Sequence, residues 1–377
     1  MKVLFFSCWY PTRYNSSNGI FVKEHATAAV IGGNSVAVLA LNVVADKKLF
    51  SVEKESYLDE NKIPTHIIHL KSRFYKWIYI NPVFMYWFVK RYFAKNILPS
   101  FKPDILHSNV ISPAAIMGYW LSKKYNLPHV ISEHWTELDK FMRKNVFASK
   151  GKRAYKSASA VVAVSKFLKK KLTKYLGSDE TIHVIPNVVS KTIFSYKPKS
   201  KNDGLVFSAV ASWIYPKVPS FFVNALAVIA AESATPITLH IVGDGLLLAD
   251  IKQRAASLGF KIIFHEYQPK EKVAALFHQS DFFLHSSYDE TFSVIIAEAL
   301  LTGTPVVASN VGAVPELVNP SNGILTENTH HDWVNSIRKI MQIKFEHQKI
   351  REDFQDRFSY ESIGEKFSNL YKAIVRN

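Results

Sequence analysis

The chain has 377 residues, 48% of them hydrophobic and 21% charged, a composition that is typical of a folded protein and excludes a disordered one. This length exceeds what one ordinary core accommodates, so it predicts two domains. The single cysteine, Cys8, excludes an internal disulfide and any multi-cysteine zinc site, and it suits a reducing, cytoplasmic compartment.

The positive charge of the chain lies in its first half. Residues 1–195 carry 29 Lys and Arg against 12 Asp and Glu, a net charge of +17, whereas residues 196–377 carry 18 against 19, a net charge of −1. Such a cationic half suits an anionic membrane, nucleic acid or a phosphate-bearing substrate. The alternative is a solvated basic surface that has no partner.

Apolar runs of strand length alternate with helical patterns over the first half. These runs are residues 3–8, 35–41, 67–70, 105–107, 129–132 and 160–164. The alternation predicts a parallel, doubly wound sheet. We interpret the first run as a strand and not as a signal peptide, because no small-residue cleavage site follows it.

The most lipid-like stretch, residues 77–93, is interrupted by Asn81-Pro82 and by Lys90-Arg91, so it falls short of the roughly 20 apolar residues of a spanning helix. Aromatic residues alternate with cations over residues 72–80 and 85–93, a pattern that suits the surface of an anionic membrane. The alternative is a helix face directed to the core, because helical spacing relates Phe84, Trp87, Phe88 and Arg91.

A second alternation follows a stretch rich in Lys, Ser, Asp and Gly at residues 190–204, and the domain boundary is predicted near residues 187–203. The strands of this half are residues 205–211, 237–242, 261–265, 281–285 and 305–308. Two such sheets place a ligand-binding cleft between their strand carboxyl ends.

Three segments follow from this division. Residues 1–190 form a first domain and residues 204–358 a second. Residues 359–377 are predicted as a helix with an apolar face made of Ile363, Phe367, Leu370, Tyr371 and Ile374. This face could pack on either domain, and packing back on the first domain is the option we consider.

The segment between the fourth and fifth strands of the second half carries the clearest chemistry. A helix is predicted from about residue 292 to residue 301, with Thr291 or Ser293 near its N-cap. The amides of its first turn suit a diphosphate, and Glu290 and Glu298 suit hydrogen bonds from sugar hydroxyls. The alternative makes Glu290 a charge that favours the helix dipole and Glu298 a solvated helix residue.

The helix is followed by Leu301-Thr302-Gly303-Thr304-Pro305-Val306-Val307-Ala308. The pattern of a glutamate, seven residues, a second glutamate and this Gly-Thr-Pro-Val-Val-Ala strand resembles the sequence pattern of the family-four retaining glycosyltransferases. The resemblance implies the GT-B fold, in which two Rossmann-like doubly wound domains face each other across a cleft. It also implies transfer of a sugar, with retention of configuration, from a nucleotide-sugar donor to a glycan or lipid-linked acceptor in surface polysaccharide or glycolipid biosynthesis.

The resemblance also implies roles for individual residues. Asn18-Gly19-Ile20 resembles the family's glycine loop, His134 lies beside the transferred sugar, and Lys217 contacts the diphosphate. Gly243 belongs to the strand-to-helix turn of the second domain, and Tyr267 to the loop that frames the base. The implied catalytic residues are His134, Lys217 and Glu290, and the implied donor-binding residues are Gly19, Lys217, Gly243, Tyr267, Glu290, Thr291, Phe292, Ser293 and Glu298.

Departures from the family pattern bear on the donor. Ser212 stands where the family often has an arginine, and Glu266 stands where it has a glycine. Thr291 and Ser293 replace glycines that are usual around Phe292. These changes leave the reaction class intact and leave the donor sugar and its base open.

No Asp-x-Asp pair follows a strand, and no His, Asp and Glu cluster has the spacing of metal ligands, so we expect neither a required divalent ion nor another cofactor. The alternatives are a sugar-nucleotide epimerase of the same architecture and a non-catalytic protein that binds a membrane surface or nucleic acid. An NAD-dependent enzyme is disfavoured because no Gly-x-Gly-x-x-Gly follows the first strand. We expect no nucleic acid partner, and a cytoplasmic location on the inner face of the cell membrane.

Overall fold

The computed structural model describes residues 1–144, 146–199 and 203–376, and it divides the chain into two compact units. The first unit comprises Met1–Val188 together with Tyr360–Asn377, and the second comprises Val189–Ser359. Residues 200–202 of the predicted linker stretch lie outside the described residues.

The first unit is built on an eight-stranded sheet of order β3-β4-β2-β1-β5-β6-β7-β8. Its strands are β1 (Lys2–Ser7), β2 (Ser35–Ala45), β3 (Ser51–Leu58), β4 (Pro64–Ser72), β5 (Ile105–Asn109), β6 (His129–Glu133), β7 (Ala160–Ala163) and β8 (Ile182–Val184). Its helices up to the linker are α1 (Ile20–Ile31), α2 (Tyr75–Tyr79), α3 (Pro82–Tyr92), α4 (Ile116–Tyr125), α5 (Leu138–Lys144), α6 (Ala148–Lys156) and α7 (Lys166–Leu176).

The second unit is built on a six-stranded sheet of order β11-β10-β9-β12-β13-β14. Its strands are β9 (Leu205–Val210), β10 (Ile237–Val242), β11 (Lys261–His265), β12 (Phe282–His285), β13 (Val306–Ser309) and β14 (Gly323–Thr326). Its helices are α8 (Ser220–Glu232), α9 (Ala249–Arg254), α10 (Lys270–Gln279), α11 (Val294–Leu301), α12 (His330–Met341) and α13 (His347–Glu352).

Burial on both faces explains the continuous apolar runs of the central strands. In β1, every residue from Val3 to Ser7 is buried, and the strand pairs in parallel with β2 and with β5. Helices cover both faces of such sheets, so their strands need apolar side chains on both sides. The predicted parallel, doubly wound architecture is confirmed for both units.

Strand order reverses once in each sheet, and each reversal marks a crevice. In the second unit the chain passes from β9 outward to β10 and β11 and then returns to β12 on the other side of β9. In the first unit β1 is the corresponding strand, with β2 on one side and β5 on the other. Ligands of open α/β sheets bind at the carboxyl ends of the strands that flank such a reversal.

The closing helix, α14 (Tyr360–Arg376), belongs to the first unit. Ile363, Phe367 and Tyr371 join the core beneath α1, and the Tyr371 hydroxyl lies 2.6 Å from Nδ1 of buried His107. The apolar face of α14 therefore completes the core of a domain whose other residues lie at the opposite end of the sequence.

Two elements depart from the sequence analysis, because one was not predicted and the other begins later than predicted. Strand β3 is antiparallel to β4, and its exposed, charged sequence gives no apolar run. Helix α11 begins at Val294 and not at residue 292, because Ser293 adopts a left-handed conformation with φ 64°. Within residues 77–93, the structure has the interruption that was predicted at Asn81-Pro82: α2 ends at Tyr79 and α3 begins at Pro82, with the side chain of the N-cap Asn81 accepting a hydrogen bond from the amide of Phe84. Among the described residues, no helix is long and apolar enough to span a bilayer.

The alternative of a core-facing stripe on α3 is wrong for two of its four residues. The buried side of this helix comprises Met85, Val89 and Tyr92. Phe84 and Phe88 are half-buried at its margin, whereas Trp87 and Arg91 are exposed.

Candidate functional site

In the second unit, hydrogen bonds connect the loop that follows β9 to the residues at the ends of the two neighbouring strands, β10 and β12. On the β10 side, the Trp213 amide donates to the carbonyl of Asp244 at 2.8 Å, and its indole N–H donates to the carbonyl of Val242 at 2.9 Å. On the β12 side, the amides of Val218 and Tyr288 donate to the carbonyls of Ser286 and Pro216. The loop is therefore fixed at the strand reversal, where a ligand is expected.

Lys217 and Glu290 meet at this strand reversal. The Lys217 ammonium forms an ion pair with Oε1 of Glu290, although the two residues are 73 positions apart. Nε2 of His285, the last residue of β12, lies 3.1 Å from the same oxygen. All three side chains are at least four-fifths buried.

The ionisation of this cluster follows from its contacts. Burial acts to raise the pKa of Glu290, but Lys217 and His285 outweigh it and lower the pKa to about 2. Burial, followed by the charge of Lys217, lowers the pKa of His285. At neutral pH the imidazole is therefore uncharged and donates its Nε2–H to the Glu290 carboxylate, while Lys217 supplies the compensating charge.

The first turn of α11 lies next to this cluster. Ser293 occupies the N-cap position but makes no capping hydrogen bond, and its hydroxyl instead lies 3.3 Å from Nε2 of His285. An uncapped helix start presents its amides to an anion. Glu298 is buried on the second turn of α11.

Two further predicted residues flank the loop before α11. Thr291 is buried. Phe292 is also buried, and its ring packs edge-on against Phe358 at 5.2 Å. Phe292 thus anchors the loop to the interior of the unit.

Gly243 follows β10 and allows a close backbone approach. Its φ is +103°, and a Cβ atom there would lie 2.0 Å from the carbonyl oxygen of Ala211 in the loop after β9. Only glycine fits this position without strain. Tyr267 follows β11, two strands from β9, and 61% of it is exposed.

Gly19 and His134 lie in the first unit, and Phe21 connects them. Gly19 has φ +65° and directly precedes α1, and a Cβ atom there would lie 2.2 Å from the carbonyl of Trp9. Phe21, on the first turn of α1, packs against the His134 ring with centroids 4.2 Å apart. The glycine loop after β1 and the histidine after β6 are therefore neighbours.

Glu133 fixes the backbone around His134. Its Oε1 accepts hydrogen bonds from the amides of His134 and Trp135 at 2.9 and 2.8 Å, and its Oε2 accepts from the Ile111 amide and the Tyr155 hydroxyl at 2.9 and 2.5 Å. Burial, followed by His25 and His107, lowers the pKa of His134 well below its ordinary value. A neutral imidazole can exchange hydrogen bonds with a hydroxyl group, but it supplies no charge to a phosphate.

The structure thus brings Lys217, Glu290 and the start of α11 together in the second unit, and Gly19 and His134 together in the first. Sequence reasoning missed His285, Trp213 and Glu133. His285 could have been identified from the sequence, because it is a polar residue at the end of an apolar strand. Trp213 and Glu133 act through backbone groups that the sequence does not reveal.

Two family models match the chain. The model described as glycosyl transferases group 1 matches residues 190–357, and the model described as glycosyltransferase family 4 matches residues 21–192. Together these matches run from residue 21 to residue 357, so they cover most of both units.

Individual proteins agree with these matches. An uncharacterized glycosyltransferase of Methanocaldococcus jannaschii is 26% identical over 99% of each chain. A putative teichuronic acid biosynthesis glycosyltransferase of Bacillus subtilis is 23% identical over 86% of this chain and 85% of its own. The structure of Anabaena HepE in complex with UDP superposes with a TM-score of 0.76 and 19% identity, over 99% of this chain and 100% of that one. The chain therefore belongs to the family-four glycosyltransferases and has their GT-B fold.

Proposed function

We propose that the protein transfers a sugar from a nucleotide-sugar donor to a glycan or lipid-linked acceptor, with retention of anomeric configuration. The observation that carries the proposal is the buried Lys217–Glu290 pair at the strand reversal of the second unit, next to the uncapped start of α11. A cation and a set of free amides suit a diphosphate, and a carboxylate suits a sugar hydroxyl.

The contacts suggest how donor binding changes the cluster. The diphosphate takes the Lys217 ammonium and the amides of the first turn of α11, so Glu290 exchanges its lysine partner for hydroxyl groups of the sugar. His285 continues to donate to Glu290 and keeps the carboxylate in place. Glu298, on the second turn of α11, provides a second acceptor.

In the reaction the bond between the anomeric carbon and the diphosphate oxygen breaks, and a bond from that carbon to the acceptor oxygen forms on the same face. The acceptor proton passes to the departing phosphate oxygen. Lys217 and the helix amides stabilise the negative charge that develops on the leaving group. Because this stabilisation comes from the chain itself, we propose that transfer does not require a divalent ion.

The relatives support the class of reaction and of substrates. One is named for teichuronic acid biosynthesis and another is described in complex with UDP. By analogy, we propose synthesis of a surface polysaccharide or glycolipid in the cytoplasm, at the inner face of the cell membrane.

Proton NMR of the reaction mixture tests the proposal. The protein is incubated with UDP-, GDP- and ADP-sugars, and hydrolysis or transfer is followed with and without excess chelator. We expect one donor to be consumed at the same rate in both conditions, with the anomeric proton of the product in the donor's configuration. An inverted product contradicts retention, and loss of turnover in chelator contradicts metal independence.

A further inference from the structure

A continuous aromatic cluster lies at the surface of the first unit. Trp77 of α2 contacts Phe84 of α3, which contacts Phe50 and Phe88, and Phe88 contacts Trp87, with ring centroids between 4.9 and 5.7 Å apart. Trp77 is 53% exposed and Trp87 is 57% exposed. Exposed aliphatic side chains accompany them at Leu49, Ile80 and Val83. Apolar patches of this kind mark an interaction surface.

The segment that carries α2, α3 and α4 is rich in cations and poor in anions. Residues 61–132 contain ten Lys and Arg and a single acidic residue, Asp104. Arg73 lies over Phe74 and Arg91 over Trp87. The pKa of Lys124 on α4 is lowered, first by the charge of Lys90 on α3. Like charges therefore crowd together here, and an anionic partner relieves their repulsion.

A cavity of about 240 Å³ opens beside the cluster, between α3 and the edge strand β3. Three cations line it, Lys54, Arg91 and Lys95, together with Trp87, Phe88, Tyr92 and Asn96. The acidic residues of β3, Glu53 and Glu55, pair instead with Arg13. Because alternate residues of a strand point to opposite faces, these carboxylates lie away from Lys54.

We propose that this α2–α3 surface, formed by Phe50, Arg73, Trp77, Ile80, Val83, Phe84, Trp87, Phe88 and Arg91, docks on an anionic lipid bilayer. The cavity takes the phosphate of one lipid headgroup between Lys54, Arg91 and Lys95. Aromatic rings settle at headgroup level, and aliphatic side chains reach the acyl chains. The inference deepens the membrane location of the proposed function by assigning it to particular residues.

Charge and composition favour lipid over other partners. A second copy of this surface would bring two sets of cations together, which is unfavourable. Nucleic acid would attract the cations but would leave the apolar side chains of Leu49, Ile80 and Val83 exposed to water. A bilayer accommodates both features.

Sedimentation with vesicles tests the surface. The full chain is mixed with vesicles of phosphatidylcholine, alone or with phosphatidylglycerol. We expect sedimentation only with phosphatidylglycerol, weaker binding at high salt, and a loss of at least about tenfold in Trp77→Ala/Trp87→Ala and in Arg91→Glu/Lys95→Glu. The matched control is Lys261→Glu/Lys339→Glu, which changes the net charge equally at exposed sites of the second unit. An equal loss in this control, or no sedimentation of the wild type at low salt, overturns the proposal.

A second comparison tests the headgroup cavity. Lys95→Met removes a cation of the cavity, and Lys76→Met removes one from α2 outside it. We expect Lys95→Met to weaken vesicle binding more, and equal losses would contradict the cavity. Sedimentation velocity without lipid provides the remaining control. If the wild type is a dimer and Trp77→Ala/Trp87→Ala is a monomer, the partner of this surface is a second copy of the chain, and the lipid assignment is overturned. Sugar-nucleotide binding by these variants should equal that of the wild type. The proposal of a docking surface and the proposal of a donor site are therefore tested independently.

Discussion

Glu290 forms an ion pair with the ammonium group of Lys217 and accepts a hydrogen bond from the neutral imidazole of His285. The two partners have different consequences. Lys217 can leave Glu290 for a diphosphate, whereas His285 is buried at the end of β12 and has no such freedom. His285 is therefore a positioning residue for Glu290.

Replacement of His285 separates positioning from structure. His285→Leu removes the N–H donor, and because a hydrogen bond to a charged group contributes about 1.5–3 kcal/mol, sugar-nucleotide affinity should fall by at least about tenfold. His285→Gln can restore a donor near the Nε2 position and should recover most of the affinity. Titration calorimetry of both variants measures this. Equal loss in the two variants would show that His285 only fills space.

The residues of this cluster differ in how visible they were in the sequence. The spacing of Glu290 and Glu298 before the Gly-Thr-Pro-Val-Val-Ala strand carried the family resemblance, and the helix that contains Glu298 was predicted from its place between two strands. The contact between Lys217 and Glu290 joins two loops that become neighbours only when β9 and β12 pair. No local pattern encodes that contact, so the ion pair and its link to His285 required the structure.

At the scale of elements, the loop after β9 depends on the backbone of the turn after β10. Gly243→Ala places a Cβ atom 2.0 Å from the Ala211 carbonyl, at a φ of +103°. We expect overpacking to lower the free energy of unfolding by about 1–3 kcal/mol, in addition to the loss that the conformational strain causes. Gly259→Ala is the matched control, because its φ is +75° but nothing lies within 4 Å of the added atom.

Urea unfolding of the full chain, followed by hydrogen exchange and mass spectrometry of peptides from the second unit, compares the two variants. Gly243→Ala should unfold at lower urea than Gly259→Ala and should bind sugar nucleotide more weakly. Equal midpoints would contradict the close approach between the two loops.

The central strands were predictable, and the edge strand β3 was not. Buried parallel strands such as β1 and β13 give apolar runs that the sequence displays. The edge strand β3 alternates exposed and half-buried residues, with charged side chains on both faces, and therefore resembled a loop. The start of α11 was predicted too early because the left-handed conformation of Ser293 is imposed by its surroundings and not by its sequence.

At the scale of the whole molecule, the two units should differ in their response to acid. The first unit contains four buried histidines with lowered pKa values. Burial lowers the pKa of His25 to about 4 and that of His129 to about 3, and it lowers those of His107 and His134 well below the ordinary range. Burial also lowers the pKa of His285 in the second unit, so both units respond to acid and the first should respond more strongly. On unfolding, these side chains return to a pKa near 6.5.

The sign of the effect follows from proton uptake. Below about pH 6.5 the unfolded chain binds protons at these histidines that the native state does not, so the free energy of unfolding falls as the pH decreases, by about 1.4 kcal/mol per pH unit for each histidine. Glu290 acts in a different window: its native pKa of about 2 lies below its ordinary value of 4.5, so its contribution is present above 4.5 and is lost between about 4.5 and 2.

Hydrogen exchange with mass spectrometry at pH 7.5 and pH 5, corrected for intrinsic rates, tests this prediction. Peptides from the first unit should lose more protection than peptides from the second. Equal protection at both pH values would mean that the histidines are not held neutral.

The central claim is that α11 and the loops beside it form a sugar-nucleotide site, and donor-dependent thermal stabilisation tests it most directly. Ligand at one hundred times its Kd stabilises the native state by about 2.7 kcal/mol, so one of the UDP-, GDP- or ADP-sugars should raise the melting temperature of the wild type by several degrees. Glu298→Ala should lose most of that increase, because its affinity falls by about 1.5–3 kcal/mol. The exposed-carboxylate control Glu271→Ala should retain it. No stabilisation of the wild type by any of these sugars, or equal stabilisation of Glu298→Ala, would contradict the account.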